Sequence, residues 1–498
     1  MSLRNRVSAL FKGPEEFDLT SGGIGKPLFF LAMPIVVTNL FQTAYNLADT
    51  FWLGQYSTDA LAAISFAFPM VFLLISLGMG ISVAGSVLVA QYTGAGEERK
   101  ADHAASQTMT FSVLASLLLG GVGYLFIEDF LSLMGASADV LPLATSYMEV
   151  VSLGLAAMFG FAVFIALMRG YGDTITPMLV MFGSVVLNIV IDPFLIFGWT
   201  VVENAPLVGT ISFPELGIQG AAIATVFSRA VALVVGLVVM FRGTRGVQLR
   251  LRDLVPEFGA LKRIARIGLP ASIEGTGRAL SMNLLLFIVA SFPDPVVAAY
   301  GIGTRVFSVV FLPAIAVARG VETMTGQNMG AGKPERAERA AGLAAKVLFG
   351  VLAVAGLVVF VYPEPIVSVF VGAGQTDTAR VVEVGAQFLR YVALTFGFIG
   401  IMRAYTGSFR GAGKTLTAAA ISVFTLGVVR FPVAWLTAGP LGETGIWLSF
   451  AISNVVGAVV AYGLYRRGTW RDTDLTDDAD GPDVEPGDTA AEQPAGGD

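Results

Sequence analysis

Apolar stretches of roughly twenty residues recur along this chain from one end to the other. A stretch of that length crosses about 30 Å of hydrocarbon as a helix. It must be a helix, because no water is present there to satisfy a broken backbone. Twelve such spans are predicted, near 27–53, 61–90, 107–127, 140–168, 174–198, 217–241, 263–292, 296–325, 341–362, 379–407, 415–437 and 445–465. The fold class is therefore all-α membrane protein, and 498 residues do not translate into several soluble domains. Only 14% of residues are charged, against about 25% in soluble domains.

Basic residues orient the spans. One set of loops carries Arg99, Lys100, Arg169, Arg242, Arg250, Lys262, Arg266, Lys333, Arg336, Arg410 and Lys414 among others, while the opposite set is acidic apart from Arg380. The positive-inside bias places the basic loops and both termini in the cytoplasm, with the chain in the cell membrane. The net charge of −6 conceals this asymmetry. The stretch after Arg471 holds ten acids and no base, and removing them leaves +4. Residues 468–498 read as a solvated, disordered tail.

The chain repeats itself. QYTGAGEERKADHAA at 91 matches QNMGAGKPERAERAA at 327, PIVVTNLFQ at 34 matches PASIEGTGR at 270, and MRGYGDT at 168 matches FRGAGKT at 409. Two six-span units follow, 26–241 and 263–467, after a leading segment 1–25 and joined by a basic linker 242–262. Six spans per unit makes the units parallel, related by an axis along the membrane normal, a common transporter plan.

The first unit places polar groups inside its helices. Asp49 lies in YNLADTFWLG, Asn188 and Asp192 lie one turn apart in VVLNIVIDPFLIFG, and Thr225 lies in GAAIAT. Counting back from the outer span ends at about 1.5 Å per residue puts Asp49, Asp192 and Thr225 roughly 8–12 Å deep. Oxygen ligands of this kind suit Na⁺, and two neighbouring carboxylates favour holding a proton between them. One charge moved inward across 100 mV releases about 2.3 kcal/mol. Pro34 and Pro193 each free a carbonyl where a helix can bend. Gln42, Tyr45, Trp52, Tyr147 and Met181 are the candidate lining of a substrate cavity.

The second unit has no matching acids. Leu285 stands where Asp49 would, and GVVRFP with Arg430 replaces NIVIDP. Its buried charges are expected to pair along their helices, Glu274 with Arg278 and Arg319 with Glu322. With no cysteine and one loop histidine, His103, thiol chemistry is excluded and intramembrane catalysis is not expected. The Gly-rich loops lack a lysine–hydroxyl ending, so no nucleotide site is read there.

This set of motifs resembles the multidrug and toxic compound extrusion (MATE) transporters, most closely the archaeal and DinF-like branch. The resemblance runs from about residue 20 to 467 and rests on Pro34 with YNLADTFWLG, the two GAG loops, MRGYGDT with FRGAGKT, and LNIVIDP with GAAIAT. It implies two six-helix lobes in a V around a cleft, and export of amphipathic organic cations against Na⁺ or H⁺ by alternating access. It assigns the coupling ion to Asp49, Asn188, Asp192 and Thr225, and a bend of the first helix to Pro34. No cofactor beyond that ion, no nucleic acid and no second copy of the chain are expected, only bilayer and small molecules. A lipid-linked oligosaccharide flippase of the same superfamily is the alternative, favoured by the second-unit arginines.

Overall fold

The computed structural model describes residues 18–205, 209–212, 214–371 and 378–472. Most of the leading segment and of the acidic tail lie outside the described residues. The first unit contains α1 (Gly25–Tyr56), α2 (Thr58–Gly94), α3 (Glu98–Leu133), α4 (Leu141–Leu153), α5 (Leu155–Tyr171), α6 (Ile175–Phe197) and α7 (Gly217–Arg242). The second contains α8 (Phe258–Val289), α9 (Asp294–Gly330), α10 (Pro334–Val361), a short α11 (Pro363–Ser368), α12 (Thr378–Ala393), α13 (Phe396–Gly411), α14 (Thr415–Val423), α15 (Phe431–Leu441) and α16 (Glu443–Arg466).

Among the described residues, nine helical spans are long and apolar enough to cross a bilayer, and two bent pairs add two more. The pairs are α4 with α5, bent by 54°, and α12 with α13, bent by 50°. They occupy corresponding places in the two units, where the sequence reading had drawn single spans. The remaining long helix is α8, which carries Lys262, Arg263, Arg266, Glu274 and Arg278. Between α14 and α15 the chain runs as a π-helical turn, Phe424–Arg430. One departure from an all-helical chain is a small antiparallel ribbon, β1 (Thr200–Ala205) with β2 (Gly209–Ser212), in the loop between α6 and α7. Helix α1 continues through Pro34, and Thr38 donates to the Pro34 carbonyl at 2.8 Å.

The repeated motifs turn out to be the joint between the lobes. Gln91, from the first GAG copy, donates to the Gly411 carbonyl at 2.9 Å. Gln327, from the second, donates to the carbonyls of Gly170 and Tyr171 at 3.1 and 2.8 Å. Each GAG segment thus docks on the other lobe's RG-containing turn. A Cβ at Gly94 would strike the Gln327 carbonyl, and one at Gly330 would strike that of Gln91. Close backbone approach is what these glycines permit. The next glycine of each copy, Gly96 and Gly332, instead takes positive φ, 75° and 66°, to turn the chain. Further along the joint, Ser76 and Thr276 hydroxyls meet at 3.2 Å, and Ser272 donates to the Leu77 carbonyl. The GAG contacts lie beside the basic loops, so the lobes are joined there, and the Ser76–Thr276 contact extends the joint to about the middle of α2 and α8.

Two leader segments cross between lobes. Residues 19–23 precede the first lobe but are held by the second: Arg336 donates to the carbonyls of Leu19, Ser21, Gly22 and Gly23, and Asn328 to Leu19. The linker precedes the second lobe but is held by the first. Gln107 donates to the carbonyls of Asp253 and Val255, and Arg99 grips the Asp253 carboxylate with both terminal nitrogens. Burial pushes the Asp253 carboxyl up, and the Arg99 guanidinium more than reverses this, leaving it below the usual carboxylate range. A depressed carboxyl stabilises the fold above its unfolded value near 4 and loses that contribution as pH falls through the folded value. Asp253→Asn is therefore expected to lower stability by about 2 kcal/mol at pH 7. In thermal melts the gap from the unaltered protein should close below about pH 4. A gap independent of pH would mean that the Arg99–Asp253 pair contributes nothing.

Candidate functional site: a carboxyl pair in the first lobe and an arginine cavity in the second

Local rules position the first-lobe groups. Asn188 and Asp192 are four residues apart, so α6 stacks them on one face, and the Asn188 amide donates to Asp192 Oδ1 at 3.1 Å. Helices α1 and α7 flank α6 and carry Asp49 and Thr225 inward. Asn188 and Asp192 are fully buried, and Asp49 and Thr225 are 6% and 5% exposed. Asp49 lies close enough to Asp192, Thr225 and Asn188 for each to act on its carboxyl group. The four residues read from depth in the sequence are thus gathered at one point. Tyr45 adds a bond to Thr225 Oγ1 at 2.6 Å, which fixes the hydroxyl's direction from one side.

The cluster is short of positive charge. Asp49 Oδ1, Asn188 Oδ1 and Asp192 Oδ2 are shielded from solvent, with no hydrogen-bond partner among the described residues. Two carboxyl groups attract each other only when one holds a proton or a cation bridges them. Arg229 does not fill that role. Its guanidinium bonds Gln42 Oε1 at 2.8 Å and Met181 Sδ at 2.9 Å, and lies 4.7 Å from the Tyr45 ring centroid. No salt bridge joins it to either acid among the described residues. The donor set, two carboxyls, an amide oxygen and a hydroxyl, fits a hard monovalent cation or a proton.

The proposed cavity lining divides. Tyr45, Tyr147 and Met181 are buried in the lobe's interior around the acids. Gln42 is occupied by Arg229. Trp52 sits half-buried in an aromatic group with Phe51 and Phe197.

The second lobe holds what sequence spacing did not find. Arg319 bonds Glu322 at 3.0 Å, as expected. Glu274 does not pair with Arg278, although they are four apart. Arg410 reaches it at 3.2 Å and Arg403 at 3.8 Å, and Ser422 donates to it at 2.9 Å. Neighbouring helices outcompete the same-helix partner because they deliver two guanidinium groups at once. Arg278, left over, lines a cavity of about 290 Å³ with Arg403 and Arg430, together with Phe307, Phe311 and Phe450. Phe72 of the first lobe closes one side, so the cavity faces the cleft just beyond the Ser76–Thr276 contact.

Two pseudo-symmetric helical lobes, joined at one end and carrying buried polar clusters, define a two-lobed polytopic membrane protein of the transporter plan. The sequence matches the MatE family over residues 34–194 and 270–436, one match in each lobe, and the chain belongs to that family. It is 29% identical to a FAD transporter of Shewanella oneidensis over 91% of this chain and 97% of that protein. It is 28% identical to the probable multidrug resistance protein NorM of Thermotoga maritima, over 90% and 93%. Among solved structures, it superposes on an outward-facing multidrug resistance MATE transporter with a TM-score of 0.82 and 25% identity, covering 93% and 100%. A MOP superfamily transporter from Pyrococcus furiosus gives 0.83 at 24% identity, a likeness of fold.

Proposed function

We propose that this protein is a secondary active efflux transporter that exchanges an inward-moving Na⁺ or H⁺ for an amphipathic small molecule by alternating access. One observation carries the reading: two buried carboxyl groups near enough to act on each other, with Asp49 Oδ1, Asp192 Oδ2 and Asn188 Oδ1 partnerless among the described residues. Such a cluster is stable when it holds a cation and strained when it does not, so ion occupancy biases the packing of α1 against α6 and α7. With the basic loops inside, the joined end is cytoplasmic and the conformation faces outward. Ion binding at Asp49, Asn188, Asp192 and Thr225 then repacks α1, with Pro34 the place where its backbone can yield. Relatives named as multidrug resistance proteins support drug efflux, and a relative named as a FAD transporter supports a cargo that is not a cation.

The resemblance to MATE transporters implies organic cations as cargo. The second-lobe cavity, lined by three arginines and no carboxylate among the described residues, argues for the opposite charge. The same arginines keep the flippase reading as the second one.

The test uses purified protein in liposomes under an imposed Na⁺ or H⁺ gradient, following efflux of ethidium and of fluorescein. Either gradient driving either dye supports the exchanger. Neither gradient moving either dye, with lipid-linked sugar scrambled instead, puts the flippase first.

A further inference from the structure

The second-lobe cavity carries an unbalanced charge. Arg403 is 7% exposed and Arg430 is 9% exposed. Arg430 spends Nε on Ser453 at 2.8 Å and one terminal nitrogen on Asn454 at 3.0 Å, both neutral partners. Arg403 keeps one long contact to Glu274, and its Nε is buried with no hydrogen-bond partner. Arg278 has no salt bridge or hydrogen bond among the described residues. The nearest acids, Glu274 and Glu322, are already engaged by Arg410, and Glu322 also by Arg319. Arginine stays charged in any protein environment. Guanidinium groups held at membrane depth without counter-charge mark a substrate path more often than a structural pair.

The remaining walls give the shape of the missing partner. Phe311 lies under the Arg403 guanidinium at 4.5 Å, and Phe450 under that of Arg430 at 4.3 Å. Each ring backs its guanidinium, and the donors not spent on Ser453, Asn454 and Glu274 are left for an acceptor. Phe307, Leu285 and Met282 supply apolar wall. The π-helical turn Phe424–Arg430 carries Thr425, Leu426 and Arg430 to the cavity. Such turns re-aim side chains, frequently at functional sites.

We infer that this cavity binds an amphipathic organic anion, an aromatic or aliphatic body bearing a carboxylate or phosphate that bridges Arg278, Arg403 and Arg430. The inference rests on the transporter reading only in naming this anion as cargo; the site itself stands on the cavity. Phosphate on a lipid headgroup presents the same chemistry as phosphate on a soluble compound, and the test separates the two.

The experiment measures equilibrium binding to purified protein in lipid nanodiscs, by fluorescence anisotropy and without any ion gradient. The probes are fluorescein, an anion, and rhodamine 123, a cation on the same xanthene frame. The expected result is binding of fluorescein at least about tenfold tighter than of rhodamine 123. Arg278→Gln should weaken fluorescein about tenfold, the loss of roughly one charge-assisted hydrogen bond, and leave rhodamine unweakened. Arg278→Lys should restore part of the loss. Arg278 is the residue to alter because nothing in the fold depends on its hydrogen bonds, and Arg430→Gln serves as a second variant if the first melts early. Discs of neutral phosphatidylcholine are compared with discs containing phosphatidylglycerol. Fluorescein binding lost only in the latter identifies a lipid anion as the occupant and still supports the anion site. Rhodamine binding tighter than fluorescein, with both unchanged in Arg278→Gln and Arg430→Gln, overturns the inference. That outcome leaves ion-driven efflux untouched, whereas fluorescein bound while neither gradient moves fluorescein or ethidium would sink the exchanger and keep the site.

Discussion

Asp49→Asn and Asp192→Asn should each abolish ion-driven accumulation while leaving the protein folded. One charge moved across 100 mV supplies about 2.3 kcal/mol, enough for a concentration ratio of about 50. In proteoliposomes held at that potential, the unaltered protein should approach this ratio for a neutral cargo per ion moved. Each variant should fall to a ratio near one. Asparagine keeps the shape of the side chain but can neither carry the proton nor complete the charge that attracts Na⁺. The two acids are near enough to act on each other, so they act as one unit and the double variant should be no worse than either single one. Thermal stability is the control that separates coupling from scaffolding. Removing one of two adjacent buried carboxyl groups relieves repulsion, so the melting temperature should hold or rise. A fall in melting temperature with transport lost only in proportion to unfolded protein would make the pair structural.

A disulfide placed across the joint should stop turnover just as completely, for a different reason. Ser76 and Thr276 hydroxyls are 3.2 Å apart, a separation that lets two cysteines at these positions approach bonding geometry. The chain has no cysteine of its own, so Ser76→Cys with Thr276→Cys can form one intramolecular bond. Alternating access requires α2 and α8 to part where these hydroxyls now meet. The oxidised protein should therefore transport at less than about a tenth of the reduced rate, and a thiol reductant should restore it. Thr325→Cys with Ser408→Cys is the matched control, since those hydroxyls meet at 3.0 Å inside one lobe. That pair should cross-link without effect. Full transport with the joint locked would mean that the lobes do not separate there, and the rocking mechanism would go with it.

The periodicity of apolar spans and the duplicated motifs were enough to read twelve crossings and two units, because a bilayer leaves a chain few alternatives. The carboxyl cluster was legible for a related reason. An acid is rare enough in an apolar span that its depth alone singles it out, and Asp49, Asp192 and Thr225 reach the same depth on three helices. Asn188 followed from helix geometry, four residues before Asp192. The functional weight of the GAG loops was not legible. Each copy read as a turn, and only the packing shows Gln91 and Gln327 reaching into the opposite lobe.

What the sequence determined by itself was everything with short range along the chain or set by the solvent: which segments enter the membrane, which groups share a helix face, and how deep each polar group sits. What only the tertiary structure decided was pairing between helices distant in sequence. Glu274 and Arg278 satisfy the spacing rule for a helix pair, yet Glu274 turns to Arg403 and Arg410, more than 120 residues away. That choice leaves Arg278 without a salt bridge among the described residues, beside Arg430, which the π-helical turn brings to the same cavity. A charge of fixed sign is written in the sequence, but its neutralisation is not. Coulomb energy depends on distance in space, and inside a low-dielectric core the partner that wins is the one the fold brings nearest.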